Sequence, residues 1–317
     1  MTTDHETAGE TPTSDATSCG FVALVGAPNA GKSTLTNHLV GAKVSIVTHK
    51  VQTTRTRIRG IALEGAVQMV LVDTPGIFAP KRRLDRAMVQ AAWAGAGDAD
   101  VIVLIVDAAR CVKDHYRIDE ETQTIIDGLK AQKRPVVLAL NKTDGLKRDT
   151  LLPVIDVHSK AHEFNVIFTI SALKGEGCGD LRAWLAERMP KGPWLYPEDE
   201  LSDLPMRMMA AEVTREKVFL DLHDELPYSA TVETDQWTER EDGSVRIDQT
   251  LYVERESQRK IALGKGGRKI KQIGQKSREE LEEMFERRVH LFLFVKVREN
   301  WQDDRERLTT WGLEWDV

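Results

Sequence analysis

The run Gly26-Ala27-Pro28-Asn29-Ala30-Gly31-Lys32-Ser33 constrains this 317-residue chain more than any other feature. Its spacing is that of a phosphate-binding loop, a Gly, four residues and then Gly-Lys-Ser. An apolar run at 21–25 precedes it and a helical stretch at 34–40 follows it. Glycines let such a turn aim its backbone N–H groups at a phosphate, and the helix N-terminus adds positive potential. Lys32 is expected to reach the β- and γ-phosphates and the Ser33 hydroxyl to ligate Mg²⁺. Gly26, Ala27, Pro28, Asn29, Ala30, Gly31 and Thr34 complete the expected cradle. At average residue frequencies a chance match in a chain of this length arises about once in a hundred.

A strand–loop–helix unit of this kind belongs to an α/β domain, and the sequence keeps that rhythm. Nearly continuous apolar runs at 67–72, 101–106, 136–140 and 166–170 suit parallel strands buried on both faces. Amphipathic stretches at 84–96, 119–132 and 151–164 alternate with them. The pattern predicts a doubly wound, mostly parallel sheet over 19–190, with ligands at the carboxyl ends of its strands. An acidic tail over 1–18, with little to bury, reads as disordered. After Met189 the pattern stops, and a Pro-rich, charged linker spans 191–204. Beyond it lie a helical stretch at 206–222 and extended runs at 228–237 and 245–254, joined at an Asp242-Gly243 turn signal. Helical stretches at 257–263 and 267–287 and a strand at 289–297 follow. The order α-β-β-α-α-β predicts a smaller α+β domain over 205–302, followed by a C-terminal extension over 303–317.

Two further signatures sit at the ends of predicted strands. In Asp73-Thr74-Pro75-Gly76, Asp73 can hold Mg²⁺ through water and the Gly76 N–H can sense a γ-phosphate. In Asn141-Lys142-Thr143-Asp144, the Asp144 carboxylate can accept both N1–H and the N2 amine of guanine, a donor pair that adenine lacks. All three signatures arising by chance is a roughly one-in-a-million event, so the chain reads as binding GTP and GDP. Over residues 20 to about 190 it resembles the translation-factor-related GTPases. The resemblance implies that Gln52-Thr53-Thr54-Arg55-Thr56 is a first switch segment, with Thr54, or alternatively Thr53, closing on Mg²⁺. It also implies that Ser171-Ala172 meets the guanine base, and it leaves the catalytic roles with Lys32, Thr54 and Gly76. Ras-like enzymes place a water-orienting Gln where Ile77 stands here, so slow intrinsic hydrolysis, aided by a group from elsewhere, is expected. Asn29 resembles the asparagine of GTPases that recruit K⁺ beside the phosphates; the alternative is that it only stabilises the loop turn.

The second domain carries Leu263-Gly264-Lys265-Gly266-Gly267-Arg268 between two helical stretches. KH domains clamp the backbone of about four nucleotides with such a G-x-x-G loop. Ile261, Leu263, Ile270 and Ile273 flank it at helical spacing, and the element order is that of a type II KH domain. The whole chain has 44 Lys and Arg against 50 Asp and Glu, a net charge of −6 that argues against a nucleic-acid partner. Locally the balance reverses. From 255 to 278, Arg255, Arg259, Lys260, Lys265, Arg268, Lys269, Lys271, Lys276 and Arg278 face only Glu256.

A GTPase domain, a linker and a C-terminal domain reading Val253-Glu254-Arg255-Glu256-Ser257-Gln258-Arg259-Lys260-Ile261 and closing on Val295-Lys296-Val297-Arg298-Glu299-Asn300-Trp301 resemble the bacterial Era family over about residues 20–302. The resemblance implies a nucleotide-controlled switch that assists 30S ribosomal subunit assembly. Its partner would be single-stranded small-subunit (16S) ribosomal RNA near the 3′ end, held by Arg259, Lys260, Gly264, Lys265, Gly266, Gly267, Arg268 and Lys269. The expected cofactors are GTP or GDP with Mg²⁺, and K⁺ if Asn29 recruits it. Other readings are an RNA-binding assembly protein with a structural nucleotide, and a peripheral membrane-associated signalling GTPase. A cytoplasmic monomer with a peripheral inner-membrane fraction is expected. No run approaches the ~18 apolar residues of a spanning helix, and the first 18 residues lack the Lys or Arg of a secretory signal. Three scattered cysteines argue against a disulfide framework or a zinc site. Leu291-Phe292-Leu293-Phe294-Val295 reads as a central strand packed under helices, and Trp301, Trp311 and Trp315 either stack on bases or cap a small core.

Overall fold

The computed structural model describes residues 17–50, 53–131, 134–223 and 226–316; nearly all of the expected tail lies outside them. The first domain runs β1 (Ser18–Val25), α1 (Lys32–Val40), β2 (Ile58–Glu64), β3 (Val67–Asp73), α2 (Arg83–Asp98), β4 (Val101–Asp107), α3 (Ala108–Lys113), α4 (Glu120–Leu129), β5 (Val136–Asn141), α5 (Arg148–Ala161), β6 (Val166–Thr169) and α6 (Cys178–Ala186). Six strands form one sheet in the order β2-β3-β1-β4-β5-β6, parallel throughout except for the antiparallel β2–β3 pair. Alternate residues of the central strands feed two cores, as the pleat requires. Val22, Leu24, Val103 and Ile105 pack with Leu35 and Leu39 of α1 and Leu181 and Leu185 of α6. Ala23, Val25, Ile102 and Leu104 face the other way, toward Ala92 and Ala96 of α2 and Ile125 and Leu129 of α4.

Strand β2 is absent from the sequence expectations. Arg57, Arg59 and Gly60 dilute its apolar signal, and an edge strand needs less of one. The linker is also more ordered than its composition suggests. The Gln68 side chain accepts from the N–H groups of Leu195 and Tyr196 and donates to the Tyr196 carbonyl. Ser202 bridges to Gly60, and the Ile61 N–H reaches the Leu201 carbonyl. Residues 191–204 are thus strapped to the β2 side of the sheet.

The second domain runs α7 (Met206–Asp221), β7 (Ala230–Glu239), β8 (Val245–Val253), α8 (Glu256–Leu263), α9 (Arg268–Phe285), β9 (Val289–Val297) and α10 (Arg305–Thr310). Its sheet has the order β7-β8-β9, with β7–β8 antiparallel and β8–β9 parallel. Gly243, at φ 78, makes the expected turn between β7 and β8. One correction concerns β9, which is an edge strand and not a central one. Leu293 and Val295 pack toward the helices, while Phe292 and Phe294 are 43% and 50% exposed. Period-two alternation on an edge strand turns every second aromatic outward.

The C-terminal extension is not a loose end. Leu308 and Leu313 pack with Trp301 on Leu84, Ala87, Met88 and Ala91 of α2, so the chain ends against the first domain. Trp301 is buried, donates to the Ser229 carbonyl and meets Trp311 edge-to-face; Trp315 lies 4.2 Å from the Arg83 guanidinium. The tryptophans act as caps on this cluster. No helix among the described residues is long and apolar enough to cross a membrane.

His158 of α5 is fully buried; its Nδ1 meets the Val154 carbonyl at 2.7 Å, and its Nε2 has no partner among the described residues. Burial holds this imidazole below its ordinary value. Below about pH 6.5 the unfolded chain takes up a proton that the folded chain resists, so stability falls as pH falls, by up to about 1.4 kcal/mol per unit. His158→Leu is expected to narrow the gap between urea midpoints measured at about pH 7.5 and 5.5.

Candidate nucleotide site and its neighbouring loop

The loop from Gly26 to Gly31 joins β1 to α1, and α1 starts at Lys32 without a side-chain cap. Its first-turn N–H groups are therefore free for an anion. A Cβ on Gly31, at φ 103, would fall 2.2 Å from the Asn141 amide nitrogen, so only glycine lets the loop pass there. Lys32 is buried, and its Nζ lies 3.1 Å and 3.0 Å from the Gly26 and Ala27 carbonyls. Burial pushes this ammonium down to about 8, with Asp73 opposing the shift.

Asp73 ends β3 beneath the cleft and is fully buried, with no hydrogen-bond partner for either carboxylate oxygen among the described residues. Burial raises its pKa, opposed by the nearby Ser33 hydroxyl and Lys32. Above it, the Ser33 and Thr54 hydroxyls are 2.9 Å apart. Thr53 also lines the cleft, but its hydroxyl is held by the Lys50 carbonyl and the Thr48 hydroxyl and not by Ser33. An unpartnered buried carboxylate under two converging hydroxyls suits a hard divalent cation. Among the described residues no cluster of three His, Cys, Asp or Glu could hold a metal alone, so a cation here would complete its shell with phosphate and water.

At the other end of the cleft, Asn141 ties three loops together. Its amide donates to the Ala30 carbonyl at 2.8 Å and its oxygen accepts from the Ala172 N–H at 2.9 Å. Ser171 donates to Asp144 at 2.8 Å, fixing that carboxylate, and Lys142 pairs with Asp107 at 2.7 Å. The cleft holds about 1130 Å³ and brings together the loop from Ala27 to Thr34, Thr54, Gly76, Asn141, Lys142, Asp144, Ser171 and Ala172. A Cβ on Gly76 would lie 3.0 Å from Pro28, so the two loops touch at the end of the cleft expected to hold the γ-phosphate. Ile77 is buried in the core and offers a water nothing to bond with. Asn29, at φ 62, donates to the His49 carbonyl at 3.0 Å.

The segment between α1 and β2 also reaches the second domain; Gln52 lies outside the described residues. Arg55, next to Thr54, donates to the carbonyls of Ala230 (3.0 Å) and Pro227 (3.4 Å). Arg215 of α7 holds the Thr53 carbonyl, Glu216 accepts from the Val47 N–H, and Lys50 donates to the Leu222 carbonyl.

In the second domain, Gly264, Gly266 and Gly267 all have positive φ, and nothing lies within 4 Å of a Cβ built on the last two. The loop backbone is open to a ligand just before α9 begins. Arg255, Lys260, Lys265, Arg268, Lys269 and Lys271 carry no ion pair among the described residues. Arg259 pairs with Glu256 and also donates to the Val295 carbonyl; Lys276 and Arg278 pair with Asp221 and Glu282. The positive surface is therefore narrower than the count of charges along the sequence suggests.

A family model described as 50S ribosome-binding GTPase matches residues 21–142, and a KH domain model matches residues 225–302. The GTPase Era of Caulobacter vibrioides is 58% identical over 315 residues, which is 97% of this chain and 100% of the relative. The chain belongs to the Era family of GTPases. Its counterpart from Sinorhizobium medicae is 57% identical across 99% of both chains. A crystal structure of Era with MgGDPNP and nucleotides 1506–1542 of 16S ribosomal RNA superposes with a TM-score of 0.87 at 36% identity, covering 93% of this chain and 99% of that one. An Aquifex aeolicus Era variant bound to GDP·AlF4⁻ matches with the same TM-score and identity. The family fold expected from the sequence, a GTPase domain followed by a KH domain, is the one observed.

Sequence reasoning missed Asp107, Leu173 and the contacts that Arg55 and Arg215 make between the two domains. Asp107 ends β4 as Asp73 ends β3, so its place at a strand's carboxyl end was the available signal. Leu173, 78% exposed, lines the cleft with no signal beyond following Ser171-Ala172. Lys32→Ala is expected to lower GDP affinity by roughly 10- to 100-fold, measured by fluorescent-nucleotide titration, while the melting temperature changes little because relief of the buried charge offsets the bonds lost to the Gly26 and Ala27 carbonyls.

Proposed function

We propose that this chain is a GTP-controlled RNA-binding switch that assists 30S subunit assembly. The reading is carried by one observation: Thr54 meets Ser33 in the nucleotide cleft while its neighbour Arg55 is buried against the KH domain. A change that closes Thr54 on the cation displaces the residue that anchors the second domain. A ligand shifts such an equilibrium only by its differential affinity for the two states. By linkage, RNA held better in one state then favours one nucleotide.

In this reading Ser33 and Thr54 bind Mg²⁺, with Asp73 behind them, and Lys32 neutralises phosphate charge. The bound Mg²⁺ would draw charge from the β- and γ-phosphate oxygens during hydrolysis. Gly76 presents its N–H to the γ-phosphate, and Asp144, steadied by Ser171, selects guanine. Burial of Ile77 supports a slow intrinsic rate. K⁺ at Asn29 is a further proposal: the Asn29 amide nitrogen donates to the His49 carbonyl, which leaves its side-chain oxygen to face a cation. The RNA contacts are Gly264, Gly266 and Gly267 through the backbone, with Lys260, Lys265, Arg268 and Lys269 on the phosphates. The 16S RNA held by the solved relative favours the small subunit and its 3′ end as the partner. We take the chain to act as a cytoplasmic monomer, with any inner-membrane contact confined to the surface. A mainly structural nucleotide is the second reading.

Phosphate release under multiple turnover, with and without the RNA 3′ end, separates the two readings, since a structural nucleotide gives no turnover in either case. Faster turnover in K⁺ than in Na⁺ is expected, and equal rates would remove the potassium site. Changing Lys265 and Gly266 together to Asp is expected to weaken RNA binding by at least about tenfold without altering GDP affinity.

A further inference from the structure

A second cavity, of about 490 Å³, lies where the two domains meet. Five arginines line it: Arg55 from the switch segment, Arg207 and Arg215 from α7, Arg298 after β9, and Arg307 from α10. Three carboxylates are already engaged, Glu212 by Arg215, Glu233 by Arg307 and Asp304 by Arg298. Arg55 and Arg207 donate to backbone carbonyls, Arg55 to Ala230 and Pro227, and Arg207 to Thr234 and Asp235. The fourth carboxylate of the lining, Glu306, is exposed.

The inner wall therefore keeps an excess of positive charge away from water. Arg55 and Arg215 are 5% and 1% exposed, and the Arg215 Nη1 is buried with no partner among the described residues. Burial, with Arg215 and Arg307 adding to it, pushes the Arg55 guanidinium down to about 9. Stacking against Trp301, 5.2 Å away, and Phe219, 5.8 Å away, offsets part of that cost. Neither ring supplies the acceptor that Nη1 lacks, and buried charges ordinarily find a partner. Met208, Val232 and Trp311 add an apolar wall.

We propose that this cavity binds a phosphorylated small molecule of mononucleotide size. Its phosphate would lie on the unpartnered Nη1 of Arg215, with Arg55 behind it adding positive potential and Arg207 and Arg298 at the rim, and its ring on Met208, Val232 and Trp311. Planar guanidiniums donate to phosphate oxygens in pairs. The volume falls within the roughly 300–1,000 Å³ of small-molecule sites. This site is separate from the guanine cleft and draws its walls from both domains.

The test is calorimetric titration of the full chain, saturated with Mg–GDP, with AMP and separately with inorganic phosphate at constant ionic strength. AMP suits because the first site selects guanine. Saturable one-to-one binding without GDP release is expected, weakened by about tenfold or more in Arg207→Gln and in Arg298→Gln. Both side chains are partly exposed, and melting curves check that each variant folds. Trp311→Ala is expected to weaken AMP binding and leave phosphate binding unchanged. No saturable binding up to roughly 10 mM, GDP displacement by AMP, or binding unaffected by both arginine variants would overturn the site. GDP affinity in the same variants reports the nucleotide site independently, so its loss would count against that reading instead.

Discussion

A guanidinium removed from water must be surrounded by acceptors, and the arrangement of this chain turns on how that requirement is met for Arg55. Its N–H groups end on two carbonyls of the KH domain, and its faces lie near Trp301 and Phe219. Those partners come from three parts of the second domain, while Arg55 belongs to the loop whose next residue back meets Ser33. The contact therefore holds the domains together and the switch segment in place at once. Arg215, Glu216 and Lys50 repeat the pattern on neighbouring residues, so the segment is fastened along much of its length.

Within the first domain, the nucleotide cleft depends on cross-bracing between loops that are distant in sequence. Asn141 is the main brace, joining the Ala30 carbonyl to the Ala172 N–H across the ends of different strands. Parallel strands buried on both faces fix where those ends fall, so rigid sheet geometry becomes precise loop placement. Two buried charges, Lys32 and Asp73, line that cleft and have no salt bridge to each other. Each suits a partner carrying phosphate or a metal ion. Charge follows the same local logic in the second domain, where a chain of net −6 still presents Lys260, Lys265, Arg268 and Lys269 around an open glycine loop.

The phosphate loop, the Asp73 and Asn141 signatures and the glycine loop were all legible in the sequence, because each needs specific residues at fixed short spacing. The central strands were legible because burial on both faces leaves an unbroken apolar run, and β9 matched its expected bounds. Edges were not legible. Strand β2 is diluted by Arg57 and Arg59, and the exposure of Phe292 and Phe294 follows from β9 having a neighbour on one side only. The packing of Leu308 and Leu313 on α2 joins residues more than two hundred positions apart, which no local pattern encodes.

By itself, then, the sequence determined the chemistry that local spacing can express: a guanine nucleotide cradle in the first domain, an RNA-binding module in the second and the order of their elements. Tertiary structure decided which threonine faces Ser33, which cations near the glycine loop stay unpaired, and that Arg55 and Arg215 share a buried space between domains. The physical reason is range. Backbone conformation and periodicity are set within a few residues, whereas burial, desolvation and charge pairing depend on groups that only the folded chain brings together.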